Sequence, residues 1–163
     1  MENPAQFAIR NAMKISPAEL NELPAILELQ KAAFQSEAAL YNNPSIPPLI
    51  ETLAEMEKVF AAGVVFKAEV DGEIAGTVRV TLDGKTVHVA RLAVKPEFRK
   101  RGIGKALLLK CETVFPPATR CELFTGSKSE NNIRLYEATG YRRFKEEPVG
   151  AGVSLVYMEK VLR

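Results

Sequence analysis

One histidine and two cysteines in 163 residues leave little with which to build a metal centre, and no pair of them has zinc-ligand spacing. Cys111 and Cys121 fall in an apolar helical stretch and at the start of a strand. They are expected as reduced, buried thiols rather than as a disulfide. No apolar run approaches the ~20 residues that cross a bilayer, and the opening stretch MENPAQFAIRNAMKIS holds no hydrophobic signal core. A cytoplasmic location, with no membrane partner, is the expectation. Net charge is also scarce. Lys plus Arg total 22 and Asp plus Glu 20, a balance of +2 that is too small to mark a nucleic-acid protein by bulk charge.

What is present is ordinary for a globular chain: 47% hydrophobic and 26% charged residues. The length suits a single domain, residues 1–163, around one core. The charge that matters is local. Lys95, Arg99, Lys100, Arg101, Lys105 and Lys110 fall within one short stretch that only Glu97 opposes.

Phe7–Ala12 alternates as a first strand would. Ser16-Pro17-Ala18-Glu19 has the pattern of a helix start, and the apolar positions Leu20, Leu23, Ile26, Leu27 and Phe34 follow with helical spacing. Pro24 lies in that run, so the main helix is expected to begin near Asn21 with Pro24 in its first turn. Tyr41–Leu49, with three prolines and two asparagines, reads as a loop. Thr52-Leu53-Ala54-Glu55 is a capping box opening a second helix that Gly63 closes. From Val64 the period changes to two. Val64–Val70, Glu73–Leu82 and Lys85–Val94 form three strands joined by Asp71-Gly72 and Asp83-Gly84 hairpins. Gly104–Phe115 is a helix stopped by Pro116-Pro117, Cys121–Thr125 a strand, and Asn131–Thr139 a helix capped by Gly140. Tyr141–Glu146 and Val153–Val161 close the chain as strands. The fold class is α+β with one parallel crossover at the turn after Val94.

That turn joins a strand to a helix through Arg99-Lys100-Arg101-Gly102-Ile103-Gly104. At a helix start the first N–H groups lack intrahelical partners, and the macrodipole adds positive charge. Glycine lets a ligand approach the backbone, and Arg and Lys add charge-assisted bonds. The turn is thus suited to a pyrophosphate, although glycines and solvated basic runs also occur at turns that bind nothing. A P-loop is excluded because Arg79 stands where its first glycine would precede Gly84-Lys85-Thr86, and Leu107 replaces the third glycine of a dinucleotide fingerprint.

The segment LAVKPEFRKRGIGKALL resembles the signature of the GNAT superfamily of N-acetyltransferases. The second segment, SENNIRLYEATGYRRF at Ser129–Phe144, is similar to that family's other motif, an Asn-bearing helix followed by a Tyr and then Gly-Tyr. The order of elements agrees over nearly the whole chain. The resemblance implies a GNAT-like α+β fold: a mixed, mostly antiparallel central sheet with helices on both faces and a splayed parallel strand pair, Lys85–Val94 beside Cys121–Thr125. It implies acetyl-CoA as co-substrate, no metal, and direct transfer of an acetyl group to a primary amine on a small molecule or a protein. The main chain of Lys100, Arg101, Gly102, Ile103 and Gly104 would grip the pyrophosphate. Leu92, Ala93 and Val94 would pair with the pantetheine arm, a strand-like interaction. Lys95, Arg99 or Lys105 would meet the 3′-phosphate. Asn132, or Asn131 in the other register, would lie near the pantetheine. Many members of the family are dimers, and a homodimer is compatible with the sequence.

Acetyl transfer needs an amine that has lost its proton, donors for the oxyanion, and an acid for the leaving thiolate. A backbone amide of Leu92–Val94 fills the second role by analogy. Tyr136 matches the family tyrosine beside the sulfur, and a phenol pKa of about 10 suits protonation of a thiolate. By spacing, Tyr136 is also a core aromatic, sharing a helix face with Ile133 and Gly140. For the base, His88 stands where one branch of the family has a carboxylate, and imidazole exchanges protons near neutral pH. Strand alternation would put Ala90, Leu92 and Val94 on its face. Where another branch has its base glutamate this chain has Phe124, which leaves Glu122, two residues earlier, as the second candidate and water as the third. Tyr41, Asn42, Asn43 and Glu37 are polar residues placed to meet the acceptor. The alternative to an enzyme is a non-catalytic CoA-binding regulatory module. A nucleic-acid site on the basic stretch would need aromatic stacking partners, and Phe98 is the only aromatic there before Phe115.

Overall fold

The computed structural model describes residues 13–162. The strand expected at Phe7–Ala12 lies outside the described residues. The first described strand, β1, is Met13–Pro17, so Ser16 belongs to a strand and not to a helix cap. The capping box is built instead by Glu19 and Glu22 around a 3₁₀ turn, Leu20–Glu22. Helix α1 follows at Leu23–Ala33 with Pro24 in its first turn, where no intrahelical N–H is needed. A short α2 spans Gln35–Leu40. The expected loop contains a single helical turn, α3, Pro47–Ile50. Its two prolines occupy the first two helical positions, where a fixed φ favours the helix rather than breaking it. Helix α4, Leu53–Ala62, begins at the Thr52/Glu55 capping box, with both reciprocal bonds formed.

Strands β2 (Val64–Val70), β3 (Glu73–Asp83) and β4 (Thr86–Val94) form the meander. Asp71 and Gly72 both take positive φ, as a tight two-residue turn requires. At the second hairpin Asp83 pairs with Thr86, so the turn residues are Gly84-Lys85, one position later than the Asp-Gly reading. Helix α5 is Ile103–Cys111, ending before Phe115. Then come β5 (Arg120–Gly126), α6 (Glu130–Ala138), β6 (Arg142–Gly150) and β7 (Val153–Val161).

The strands make one sheet in the order β1-β2-β3-β4-β5-β7-β6. Every pairing is antiparallel except β4 with β5. Helices cover both faces. On one, Ile103, Leu107 and Leu108 of α5 and Ile133 and Tyr136 of α6 pack on Val78, Val80, Val87, Leu123 and Met158. On the other, Leu23, Ile26 and Leu27 of α1 pack with Met56 of α4 and Val65. Cys111 and Cys121 are buried free thiols in the first core. Among the described residues no helix is long and apolar enough to cross a membrane.

One irregularity changes which residues face which helix. Ala90 opposes Arg79 and Ala93 opposes Thr77, so β4 advances three residues while β3 advances two. The extra residue sits at a bulge where Arg91 has a φ of +55°. Val87 and Val89 lie in the α5 core; beyond the bulge Leu92 and Val94 pack against that same core, while Ala93 turns to Leu29 and Ala33 of α1. The expected alternation therefore fails: Leu92 and Val94 do not share a face with His88.

Candidate active site

The parallel pair is short. β4 and β5 are in register at Thr86–Arg120, Val87–Cys121 and His88–Glu122 and no further. β4 stays with β3 up to Val94, and β5 stays with β7 up to Gly126, so the two diverge as their outer neighbours hold them. A cleft of about 550 Å³ lies where they part.

One wall is the end of β4, Leu92, Ala93 and Val94, with Leu135 and Asn131-Asn132 of α6 opposite. Arg99, Lys100, Gly102, Ile103, Gly104 and Lys105 of the glycine turn form its floor. The corner between α1 and α2 supplies Ala33, Phe34, Ser36 and Glu37. Lys100 and Gly102 both lie in the left-handed region, at φ +63° and +81°. An alternation of this kind turns successive N–H groups toward one concavity. Gly102 is the N-cap of α5 with no side chain capping it, and the first bond back to it comes from the N–H of Ala106, at 3.1 Å. The N–H groups ahead of Ala106 have no partner within the helix. Space beside Gly102 is open to 4 Å.

The basic residues divide by role. The Arg99 guanidinium donates to the Ala33 carbonyl at 2.8 Å, closing the C-terminal end of α1 onto the turn. Lys95 pairs with Glu73 at 3.2 Å. Arg101 lies over the Phe98 ring at 5.1 Å and is absent from the cleft wall. Lys100 and Lys105 line the cleft and make no ion pair among the described residues.

Tyr136 is buried behind the cleft against Tyr141, with ring centroids 6.1 Å apart. Burial, with the Glu37 carboxylate adding to it, pushes its hydroxyl above the ordinary phenol range. Both effects favour the neutral phenol over the phenolate. His88 and Glu122 meet at the root of the splay, Nδ1 to carboxylate 3.7 Å, but neither lines the cleft. Glu122 is also engaged by Arg120 at 3.0 Å. Phe124 stands exposed on the same strand, its ring 5.5 Å from that of Tyr157.

A second polar cluster holds the bulge. Glu51 is buried and binds both Arg79 and Arg91, the latter at 3.1 Å, and accepts from Gln30 at 3.2 Å. Burial pushes the Glu51 carboxyl up, but the bonds and charge of Arg79, with Gln30 and Arg91, outweigh this and hold it below the usual range.

From the sequence, Glu37 is only one of several polar residues placed to meet the acceptor. In the fold it accepts from Ser129 Oγ at 2.6 Å and from Asn132 Nδ2 at 3.3 Å. Tyr41 Oη lies 2.6 Å from Ser129 Oγ, and it comes so near Gly126 that a Cβ there would be 2.0 Å from the hydroxyl. Only glycine at 126 admits the contact. The signal for this cluster in the sequence is slight: polar residues in a short helix far from the motif.

Comparison with known proteins bears on the family and the fold. Residues 43–162 match the profile of an acetyltransferase (GNAT) domain. An N-acetyltransferase of uncharacterised role from Methanocaldococcus jannaschii is 34% identical over 86 residues, a segment that spans 51% of this chain and 55% of that relative. Among solved structures, the PaiA N-acetyltransferase of Thermoplasma acidophilum in complex with coenzyme A superposes with a TM-score of 0.76 at 18% identity, covering 91% of this chain and 98% of that one. The ribosomal-protein-S18-alanine N-acetyltransferase of Escherichia coli gives 0.74 at 18% identity, covering 92% and 94%. At these identities the structures speak to the fold.

Proposed function

The chain belongs to the GNAT acetyltransferase family, and from that premise we propose that it is an acyltransferase moving an acetyl group from acetyl-CoA directly to a primary amine. The observation that carries this reading is the coincidence of two features in one cleft: the unpaired amides of the Lys100–Gly104 turn and the unpaired end of β4 beside β5. The first suits a pyrophosphate, which the helix dipole and Lys100 and Lys105 attract. The second suits an extended arm bearing amides, which adds to Leu92–Val94 as a strand would. The bound coenzyme A of the Thermoplasma structure supports the same ligand class here.

In this reading the bulge at Arg91 frees a main-chain N–H of Leu92–Val94 for the thioester oxygen, where negative charge develops during attack. Tyr136, kept protonated by burial, gives its proton to the departing thiolate. Asn132 lies along the path of the arm.

The test is thermal denaturation with acetyl-CoA or CoA at micromolar concentration, followed by an amine panel with a free-thiol readout. Stabilisation by either ligand and thiol release with at least one amine are expected. No stabilisation refutes the ligand. Stabilisation without release to any amine would instead mark a non-catalytic CoA-binding module.

A further inference from the structure

The charges on the cleft wall are sorted. Lys100 and Lys105 belong to the glycine turn, while the one carboxylate among the lining residues, Glu37, reaches to the start of α6. Its surroundings form a one-way chain of donors. The Lys128 N–H donates to Tyr41 Oη at 3.1 Å. Tyr41 then donates to Ser129 Oγ, because the Ser129 proton is committed to Glu37 Oε2. Asn132 Nδ2, shared with Thr125 Oγ1, serves Oε1. The chain ends on a pure acceptor. A carboxylate has about four lone-pair sites, and these bonds use two. The remaining capacity belongs to a side chain that lines the cleft, where Glu37 is the one carboxylate.

We propose that Glu37 receives the acceptor as an alkylammonium group and takes the proton that its nitrogen must lose, an inference that rests on the acetyltransferase reading above. The ammonium gives one proton to Glu37, which releases it to solvent. The neutral nitrogen then attacks the acyl carbon. The N–C bond forms, the C–S bond breaks with its electron pair on sulfur, and the sulfur takes the Tyr136 proton. The second nitrogen proton passes to Glu37 and on to Tyr136, restoring both groups. One amide, one thiol and one free proton result per turnover. His88 and Glu122, outside the cleft, take no part in these steps.

The test compares the wild type with Glu37→Gln and Glu37→Asp on an alkylamine substrate, with acetyl-CoA affinity measured by calorimetry. Glu37→Gln should lose about 10²-fold or more in kcat/KM, the scale of general base catalysis. Its acetyl-CoA affinity should stay within about threefold, since the pyrophosphate contacts lie on the turn. Glu37→Asp should recover part of the loss. An alkylguanidinium, cationic and unreactive, should inhibit the wild type competitively against the amine and bind Glu37→Gln at least about tenfold more weakly, a difference that a purely structural role would not produce. Activity of Glu37→Gln within about fivefold of wild type overturns the assignment. So does a parallel loss of acetyl-CoA affinity, unchanged guanidinium inhibition, or a larger loss in the His88→Ala/Glu122→Gln double variant. A wild type that acetylates no amine would strike the parent reading, and this one with it; an active wild type with an equally active Glu37→Gln strikes this one alone.

Discussion

Gly102 and Gly104 sit two residues apart in one motif, yet alanine at the two positions should move stability in opposite directions. Gly102 has a φ of +81°, and an added Cβ would meet nothing within 4 Å. The cost there is conformational, about 1–2 kcal/mol for a left-handed non-glycine residue. Gly104 is helical. A Cβ there would find Leu135 Cδ2 at 3.4 Å, Leu92 Cδ2 at 3.9 Å and Val94 Cγ2 at 4.0 Å, which is ordinary packing. Alanine should stabilise that helix position by about 0.8–1 kcal/mol. In a domain of this size each kcal/mol shifts Tm by roughly 2–4 °C. Gly102→Ala should therefore melt roughly 2–8 °C lower than wild type, and Gly104→Ala roughly 2–4 °C higher.

Binding should not follow stability. Both glycines line the cleft: a methyl group at 104 would sit against Leu92, Val94 and Leu135, and one at 102 would be added to the turn whose amides are unpaired. Both variants should bind CoA more weakly by calorimetry, and the more stable protein should thus be a poorer binder. Gly102→Glu, adding negative charge at the same amides, should abolish binding. If Gly104→Ala melts below Gly102→Ala, the backbone argument is wrong. If both alanine variants keep wild-type affinity, the pyrophosphate is held elsewhere.

Tyr136→Phe should lower kcat by about 10²-fold with CoA affinity intact, and unchanged turnover would remove Tyr136 as the acid. Because its folded-state pKa is raised, burying the neutral phenol favours folding fully below the unfolded phenol value of about 10. That contribution falls away above it, so Tyr136→Phe should flatten the loss of wild-type stability at strongly alkaline pH. Glu51→Gln would leave Arg79 and Arg91 without their counter-charge and should cost about 3–5 kcal/mol in urea unfolding; a loss under about 1 kcal/mol would mean the cluster is a surface-like pair. Glu51 titrates the other way. Its folded pKa is lowered, so its contribution is present above the unfolded glutamate value of about 4.3 and fades as pH falls. The stability gap between wild type and Glu51→Gln should narrow in acid; a constant gap would refute the assignment of the low pKa.

What the sequence made legible was local. The meander declared itself through period-two alternation and two Asp-Gly pairs, and the glycine turn through its charge and its place between a strand and a helix. The core role of Tyr136 followed from its spacing to Ile133 and Gly140, whereas its role at the site was implied only by the family resemblance. What escaped was set by distant partners. Nothing near Arg91 signals a bulge; the residue is neither Gly nor Asn, and its guanidinium is held by Glu51, forty positions away. Glu37 takes its meaning from Ser129 and Asn132, more than ninety positions along the chain. The α3 turn was hidden because proline breaks helices from within and starts them from the first turn, and the letters alone do not say which.

The bulge, the splay and the buried ion cluster belong to one physical problem. A sheet that parts in its middle creates two inner edges, here the end of β4 and the end of β5, each with main-chain donors and acceptors lacking a neighbour. Left to itself such a gap would close, since each ladder bond formed contributes about 1 kcal/mol. It stays open because each strand is held from outside. β5 follows β7 through to Gly126, and β4 follows β3 around a bulge that puts Arg91 in a costly backbone region. Glu51, desolvated and bound to Arg79 and Arg91 at once, ties that bulge to the α3–α4 junction and to Gln30 of α1. The helices on that face therefore hold the bulge through one carboxylate and meet the cleft directly at the α1–α2 corner, and the open edge has the spacing of a strand. In the acetyltransferase reading proposed above, an extended chain of amides suits such an edge, and the turn at its end, with unpaired N–H groups and two lysines, suits a chain that finishes in an anion.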